Sequence, residues 1–227
     1  MKGKVCWLSL LIMAMVTFWL IGCDREEAGV VSPVEVEQVV ASPSEQAEKA
    51  YPPYSFSLRV PFLTQVPPGD WLNTKNCGQT CAVMLGGYFN NSPVNSSQIT
   101  AQNVWLANYT GNSCYNRANG CDTSIYRLKT LLEQKHKLRT SYPACSTLEQ
   151  LINIVASGKP CVVGVMIKSG NLVSSGGYPH WAIVVGWNGN VIINDPGSSR
   201  GNHRSYSIAA FDASWATQGR TYFSVSR

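Results

Sequence analysis

The stretch NTKNCGQTCAVMLGGYFNN, residues 73 to 91, sets Cys77 and Cys81 four residues apart at the start of a helical pattern. Two sulfurs at that spacing could be part of a disulfide set, a metal clip, or a nucleophile with a neighbour. A disulfide between residues one helical turn apart needs Cα atoms within about 7 Å and converging Cβ vectors, which a regular helix satisfies poorly. Zinc needs two more ligands, and the histidines His136, His180 and His203 show no tight paired spacing, so metal is the lesser reading. A nucleophile fits better. Unsatisfied backbone N–H groups at a helix N-terminus favour a thiolate and lower a thiol pKa from about 8.5 towards neutrality or below. Cys77 holds that terminal position, while Cys81, one turn further in beside Val83 and Met84, is expected to pack as a small hydrophobe. Gly78 is read as letting the chain approach a substrate carbonyl closely.

A thiolate attacking a carbonyl needs an imidazole partner. The stretch GGYPHWAIVVGWNGNVIINDPG, residues 176 to 197, places His180 at the head of a strand and Asp195 at the end of the strand paired to it across an NGN hairpin. Taken singly, His180 is a half-buried strand residue and Asp195 an Asp-Pro turn former. With a cysteine at a helix start, they read as nucleophile, general base and orienting acid. No cofactor is needed for that chemistry. Trp181 and the loop SGNLVSSGGYP before His180 would either line a substrate groove or serve packing and connection, and packing is the expectation for Trp181.

These groups must be held by elements the pattern also foretells. Cys77 to Tyr88 carries apolar residues at three- and four-residue spacings and ends at Asn90 and Asn91. NSSQITAQNVWLANYT and DTSIYRLKTLLEQKHKL predict two more helices, the second with Ile125, Leu128, Leu131 and Leu132 on one face. STLEQLINIVASGK predicts a fourth, opened by Ser146 and Glu149 as a capping box and stopped at Gly158. SLRVP and LRTSYPAC are expected to give short strands, as are PCVVGVMIK, HWAIVVGW, NVIIND and the closing TYFSVSR; SYSIAAFDASWA is expected to give a helical turn or two. Helices first and an antiparallel sheet afterwards define an α+β domain.

The 227-residue chain opens with Lys2 and Lys4, then an apolar run from Val5 to Gly22 that ends at Cys23. This is an export signal, or an uncleaved anchor, since the run is nearly long enough to span a bilayer. Residues 24 to 56 carry Glu, Pro, Ser and Val without sustained periodicity and are expected to form a tether. From residue 57 onward there are 14 Lys or Arg against 6 Asp or Glu, so the domain is basic and its tether acidic. Anionic lipid, an acidic wall polymer, or no dedicated partner at all would fit that balance. No aromatic-interleaved basic run points to nucleic acid, and no phosphate loop is present.

Eight cysteines in an exported chain suggest disulfides. Cys114 and Cys121 share one Gly/Asn loop and form the preferred pair; Cys145 and Cys161 bracket a helix and form a second.

Two resemblances extend this reading. The residues LIGC, 20 to 23, resemble a bacterial lipobox, which implies a signal peptide over 1–22, a lipid anchor on Cys23, a tether over 23–56 and attachment to the extracytoplasmic face of a bacterial membrane. Asp24 resembles the inner-membrane retention signal of enteric bacteria. The segments VPFLTQ, NCGQTCAVML, GKPCVVGV, HWAIVVGW and VIINDPG, in that order, resemble the papain-fold cysteine peptidases related to the bacteriocin-processing, double-glycine leader peptidases. The resemblance covers roughly residues 58 to 226. It implies a monomeric papain-like domain over 57–227 that takes peptide or protein substrates, with Cys77 as nucleophile, His180 as base, Asp195 as orienting acid and Gln65 in the oxyanion hole. Gln65 lies twelve residues before Cys77, farther than in that family, so VPPGDWLNTK is an insertion. In papain the later cysteine of a comparable pair is the nucleophile, but the Trp that follows it there is missing after Cys81. Cell-wall amidases and phytochelatin-synthase relatives share the residue set, and a binding module that has lost catalysis is the reading from another class.

Overall fold

In a computed structural model the chain divides into a unit Met1–Gln46 and a unit Ala47–Arg227. The structure describes residues 51–142 and 147–227. The signal sequence, Cys23, Cys145 and Ser146 lie outside the described residues. Among those described, no helix is long and apolar enough to cross a membrane.

A two-residue strand β1 (Phe56–Ser57) is followed by helices α1 (Cys77–Asn90) and α2 (Ser96–Thr110), a 3-10 turn Ser113–Asn116 and helix α3 (Ile125–Thr130). The last widens into a π-helical turn, Leu131–Lys135. Then come β2 (Arg139–Ser141), α4 (Leu148–Ala156), β3 (Cys161–Lys168), β4 (Asn171–Leu172), β5 (Tyr178–Trp187), β6 (Val191–Asn194), β7 (Arg204–Tyr206), α5 (Ile208–Ala216) and β8 (Tyr222–Ser226). The sheet is antiparallel with the order β2-β8-β3-β5-β6-β7; β1 joins the end of β5 and β4 the end of β3. This is an α+β architecture.

The unbroken apolar runs of β3 and β5 follow from burial on both faces. Val162, Ile183 and Val185 pack with Met84, Leu85, Leu106 and Leu131 of the first helices. Their neighbours Cys161, Val163, Ala182 and Val184 pack on the other side with Leu151, Ile152, Phe211 and Trp215. Helix α1 is therefore wrapped in protein, with every residue from Gly78 to Gly87 buried.

Several boundaries differ from the sequence pattern. The capping box of α4 is Thr147 with Gln150, one residue later than Ser146 with Glu149. That frame turns Leu148, Leu151, Ile152 and Val155 inward. The strand expected to run to Val60 is only Phe56–Ser57. Its register also moves the start of the folded unit: Tyr51 stacks on Trp187 with ring centroids 4.5 Å apart, and Phe56 pairs with Trp187. Residues 51 to 56, expected as tether, therefore belong to the domain. Strand β7, Arg-Ser-Tyr, carries no apolar alternation, so the sequence pattern does not predict it.

Gly86 faces the ring of His136, and a Cβ built there would lie 2.2 Å from His136 Nδ1. An alanine in a helix interior ordinarily stabilises by about 1 kcal/mol over glycine. Here Gly86→Ala is expected to cost about 1–3 kcal/mol through overpacking, read as a lower urea midpoint. A raised midpoint would contradict this packing.

Candidate active site

The N-terminus of α1 is built against type. Asn76 is its N-cap residue and among the best capping side chains, yet it makes no capping hydrogen bond. Its Nδ2 donates instead to Ala118 O (2.9 Å), and its Oδ1 accepts from Asn103 Nδ2 (2.9 Å). Asn103 Oδ1 in turn accepts from Gln79 Nε2 (2.9 Å), and Gln79 Oε1 accepts from Thr123 Oγ1 (2.9 Å). All four side chains are buried. This network ties the start of α1 to α2 and to the loop before α3, and it leaves the first-turn N–H groups without a side-chain cap beside Cys77.

That loop is closed by the disulfide Cys114–Cys121, with Cα atoms 5.7 Å apart, as the spacing led us to expect. The second expected pair cannot be followed, because Cys145 lies outside the described residues. The segment 66–75 folds onto the disulfide loop. Asp70 N–H donates to Asn119 Oδ1 (2.8 Å), Lys75 N–H donates to Asn119 O (2.7 Å), and Lys75 Nζ pairs with Asp122 at 2.8 Å.

The strands bring the second and third groups together. His180 Nε2 lies 2.7 Å from Asp195 Oδ1, with side chains 4% and 0% exposed. This contact depends on a β-bulge. Beyond it, Val184 faces Ile193 and Ile183 faces Asn194, whereas before it Gly186 faces Ile192. Continuing the shifted register puts Asp195 opposite Ala182, on the side shared by His180. Without the extra residue Asp195 would lie opposite Ile183, on the other side. Asp195 Oδ1 also accepts from Gly197 N–H (2.8 Å). A Cβ at Gly197 would lie 2.8 Å from His180 Cε1, so only glycine fits there without a shift.

Cys77 is half-buried and hydrogen-bonds to His180. With Nε2 committed to Asp195, Nδ1 is the nitrogen left for the sulfur. Burial pushes the Cys77 thiol up, but the hydrogen bond and charge of His180, with the N–H groups of Trp181 and Gly78, bring it below its ordinary value. Burial likewise pushes His180 down, yet the charge and hydrogen bond of Asp195, joined by Cys77, raise it to about 10. For Asp195 burial raises and the His180 charge lowers, and the carboxyl ends below its usual range. The consistent state is thiolate, imidazolium and carboxylate. Cys81 is fully buried in the core; burial, then the Cys77 charge, drives its thiol well up, and its Sγ lies 3.5 Å from Trp181 O.

Gln65 is 7% exposed, and its backbone N–H donates to Pro196 O (2.9 Å), which sets it against the residue after Asp195. Its Oε1 is buried without a hydrogen-bond partner among the described residues. A Cβ at Gly78 would lie 2.9 Å from Thr123 Cβ, so glycine there also permits close helix-to-loop contact. Trp181 packs on the core as expected, and its Nε1 donates to Thr123 O (2.7 Å). His203 lies apart, its ring nitrogens 2.7 Å from Asn202 Oδ1 and 3.1 Å from Leu58 O. Among the described residues no group of three or more His, Cys, Asp or Glu could hold a metal ion.

An α+β domain with a thiol at a helix start and a histidine–carboxylate pair at one end of an antiparallel sheet has the papain-like fold of cysteine peptidases. The chain belongs to the Peptidase_C39 like family, whose model matches residues 57–223. Among solved structures it resembles the crystal structure of a candidate C39-like peptidase from Bacillus anthracis, with a TM-score of 0.54 at 18% identity over 77% of this chain and 98% of that one. No curated protein sequence matches it.

Asn103 is the hinge of the buried network. Asn103→Ala should orphan Asn76 Oδ1 and cost about 1–3 kcal/mol of stability. It should also slow iodoacetamide labelling of Cys77 at pH 6, since the helix start would lose its anchor. Labelling at the wild-type rate would show that the network does not position the thiol.

Proposed function

We propose that this protein is a peptidase of the extracytoplasmic face of a bacterial membrane, lipid-anchored through Cys23, that hydrolyses peptide bonds with Cys77, His180 and Asp195. The observation that carries the reading is the buried His180–Asp195 pair at 2.7 Å, with the thiol pKa of Cys77, at the start of α1, lowered by the hydrogen bond and charge of the same imidazole. Family membership and fold support a peptidase; the roles of individual residues rest on the geometry.

In the first half-reaction the Cys77 thiolate adds to the scissile carbonyl carbon. The resulting oxyanion is held by the Cys77 N–H and the Gln65 side-chain amide, each worth about 3 kcal/mol by analogy with other oxyanion holes. The imidazolium gives its Nδ1 proton to the leaving amine as the C–N bond breaks, leaving a thioester on Cys77. In the second half, Nδ1 takes a proton from water, the hydroxide adds to the thioester, and collapse releases the acid product and the thiolate. Asp195 holds the ring and its positive charge throughout.

Cys77→Ala should abolish turnover of a peptide substrate, whereas Cys81→Ala should mainly lower stability. Loss of turnover in the Cys81 variant alone would overturn the assignment. Peptidoglycan fragments and glutathione assayed beside peptides separate amidase and transpeptidase activity from peptide hydrolysis.

The pH profile follows from the same groups. The ion pair exists above the lowered Cys77 pKa and below the His180 pKa of about 10. kcat/KM should therefore fall as pH drops through the first and again as it rises through the second. Asp195→Asn removes the main influence that raises His180. Its alkaline limb should move to lower pH, with kcat reduced on the order of 10²–10⁴. An unmoved alkaline limb would mean that Asp195 does not hold the charge on His180.

A further inference from the structure

One end of the sheet gathers five cations, while the other carries Lys168, Arg200 and Arg204 together with the Cys77–His180–Asp195 site. Lys135 and Lys137 lead into β2, where exposed Arg139 pairs with Ser226, the residue before exposed Arg227. Val225 N–H donates to Pro160 O (3.0 Å), which places exposed Lys159 at the same strand ends. The anions nearby are engaged: Glu133 with Thr140 and with Lys129 at 3.8 Å, and Glu149 with Tyr51. Five cations that form no ion pair among the described residues thus cluster at one end, set along the β2–β8 edge and the start of β3.

Position gives this cluster its meaning. Cys161, at the start of β3, faces Val184, already past the middle of β5 from His180. Further along, Trp187 carries the stacked Tyr51, the first described residue of the domain. At about 3.3 Å per residue, the stretch from His180 to Trp187 spans about 23 Å. The basic cluster and the point where the chain enters the domain share one end of the sheet, and the Cys77–His180–Asp195 site occupies the other.

We infer that this basic end is a docking face for an anionic bilayer, holding the domain against the membrane with its active site turned outward, away from the lipid. Each Lys or Arg near an anionic leaflet contributes an attraction that fades within a Debye length. An anchor at Cys23 keeps the domain close to the bilayer, and the cluster sets which way it faces. The biological geometry rests on the proposed lipid anchor. The attraction itself does not, so it is tested on the chain without its lipid.

The measurement is co-sedimentation of the chain from Asp24 onward with vesicles of phosphatidylglycerol and phosphatidylcholine in equal parts, and with phosphatidylcholine alone. Binding is expected to the anionic vesicles only and to vanish at 0.5 M salt. Lys135→Gln, Lys137→Gln and Arg139→Gln together should weaken it about 100-fold, near 5-fold per charge. Arg117→Gln with Arg200→Gln, two exposed cations elsewhere, should leave it unchanged. Wild-type labelling of Cys77 checks that the triple variant is folded; Arg139→Gln alone, expected to lose about 5-fold, serves if it is not. Equal binding by both vesicle types, undiminished binding by a folded triple variant, or an equal loss in the control pair would overturn the inference. Residues 24–50 carry seven Asp or Glu against two Lys or Arg. Binding that appears only when the chain starts at Ala47 would mean that this acidic segment, not the bilayer, occupies the face. Failure here leaves the peptidase reading intact, since turnover is measured separately.

Discussion

A charged pair in an apolar sheet governs how the rest of this domain is arranged. Removing an imidazolium and a carboxylate from water costs several kcal/mol for each ion, and only close geometry with added hydrogen bonds offsets it. Here the offset comes from the 2.7 Å contact between His180 and Asp195, the Gly197 N–H on the same oxygen, and the field of Arg204. One carboxylate oxygen, Oδ2, remains buried without a hydrogen-bond partner among the described residues. A pair so tightly specified leaves little freedom to its neighbours. The β5–β6 register must slip by one residue, position 197 must be glycine, and a third group must share the imidazole from the helix side.

The helix side meets that demand by giving up a local preference. Asn76 would ordinarily cap α1, but it is drawn into a chain of buried amides running to Thr123. The result is a helix terminus fixed in place with its backbone donors left open, which suits a thiolate. The disulfide loop lies behind this arrangement. It carries Ala118 and Asn119, which hold Asn76 and the segment 66–75, and it ends near Thr123, which receives the indole of Trp181. One residue, Trp181, thus touches the loop through its ring, Cys77 through its N–H and Cys81 through its carbonyl.

Much of this was legible in the residues themselves. Helix α1 and strands β3, β5 and β6 follow from apolar period, an NGN hairpin and residue type, which also single out Cys77, His180 and Asp195 as candidates, but the register that brings Asp195 to His180 does not. The bulge was not legible, because Val184, Val185 and Gly186 read the same in either register. The amide network was hinted at: Gln102 and Asn103 occupy buried positions between Ile99 and Leu106 on α2, where a simple amphipathic face would be apolar. What polar side chains on such a face bind depends on contacts tens of residues away, which periodicity does not encode. The start of α4 failed for a subtler reason. The stretch STLEQ, residues 146 to 150, offers two overlapping capping boxes, Ser146 with Glu149 and Thr147 with Gln150, and here the packing of Leu148 and Val155 selects the later one.

Gly197 carries a further consequence for motion. The Cε1–Nε2 edge of His180 lies against the Gly197 backbone, with Nε2 held on Asp195. A rotation of the ring about its Cβ–Cγ bond would break that bond and drive the ring into the loop. In the proposed mechanism the imidazole would therefore be a fixed relay rather than a swinging one. Both proton transfers of a catalytic cycle would pass through the same nitrogen, Nδ1, so leaving amine and incoming water would have to occupy the same place in turn.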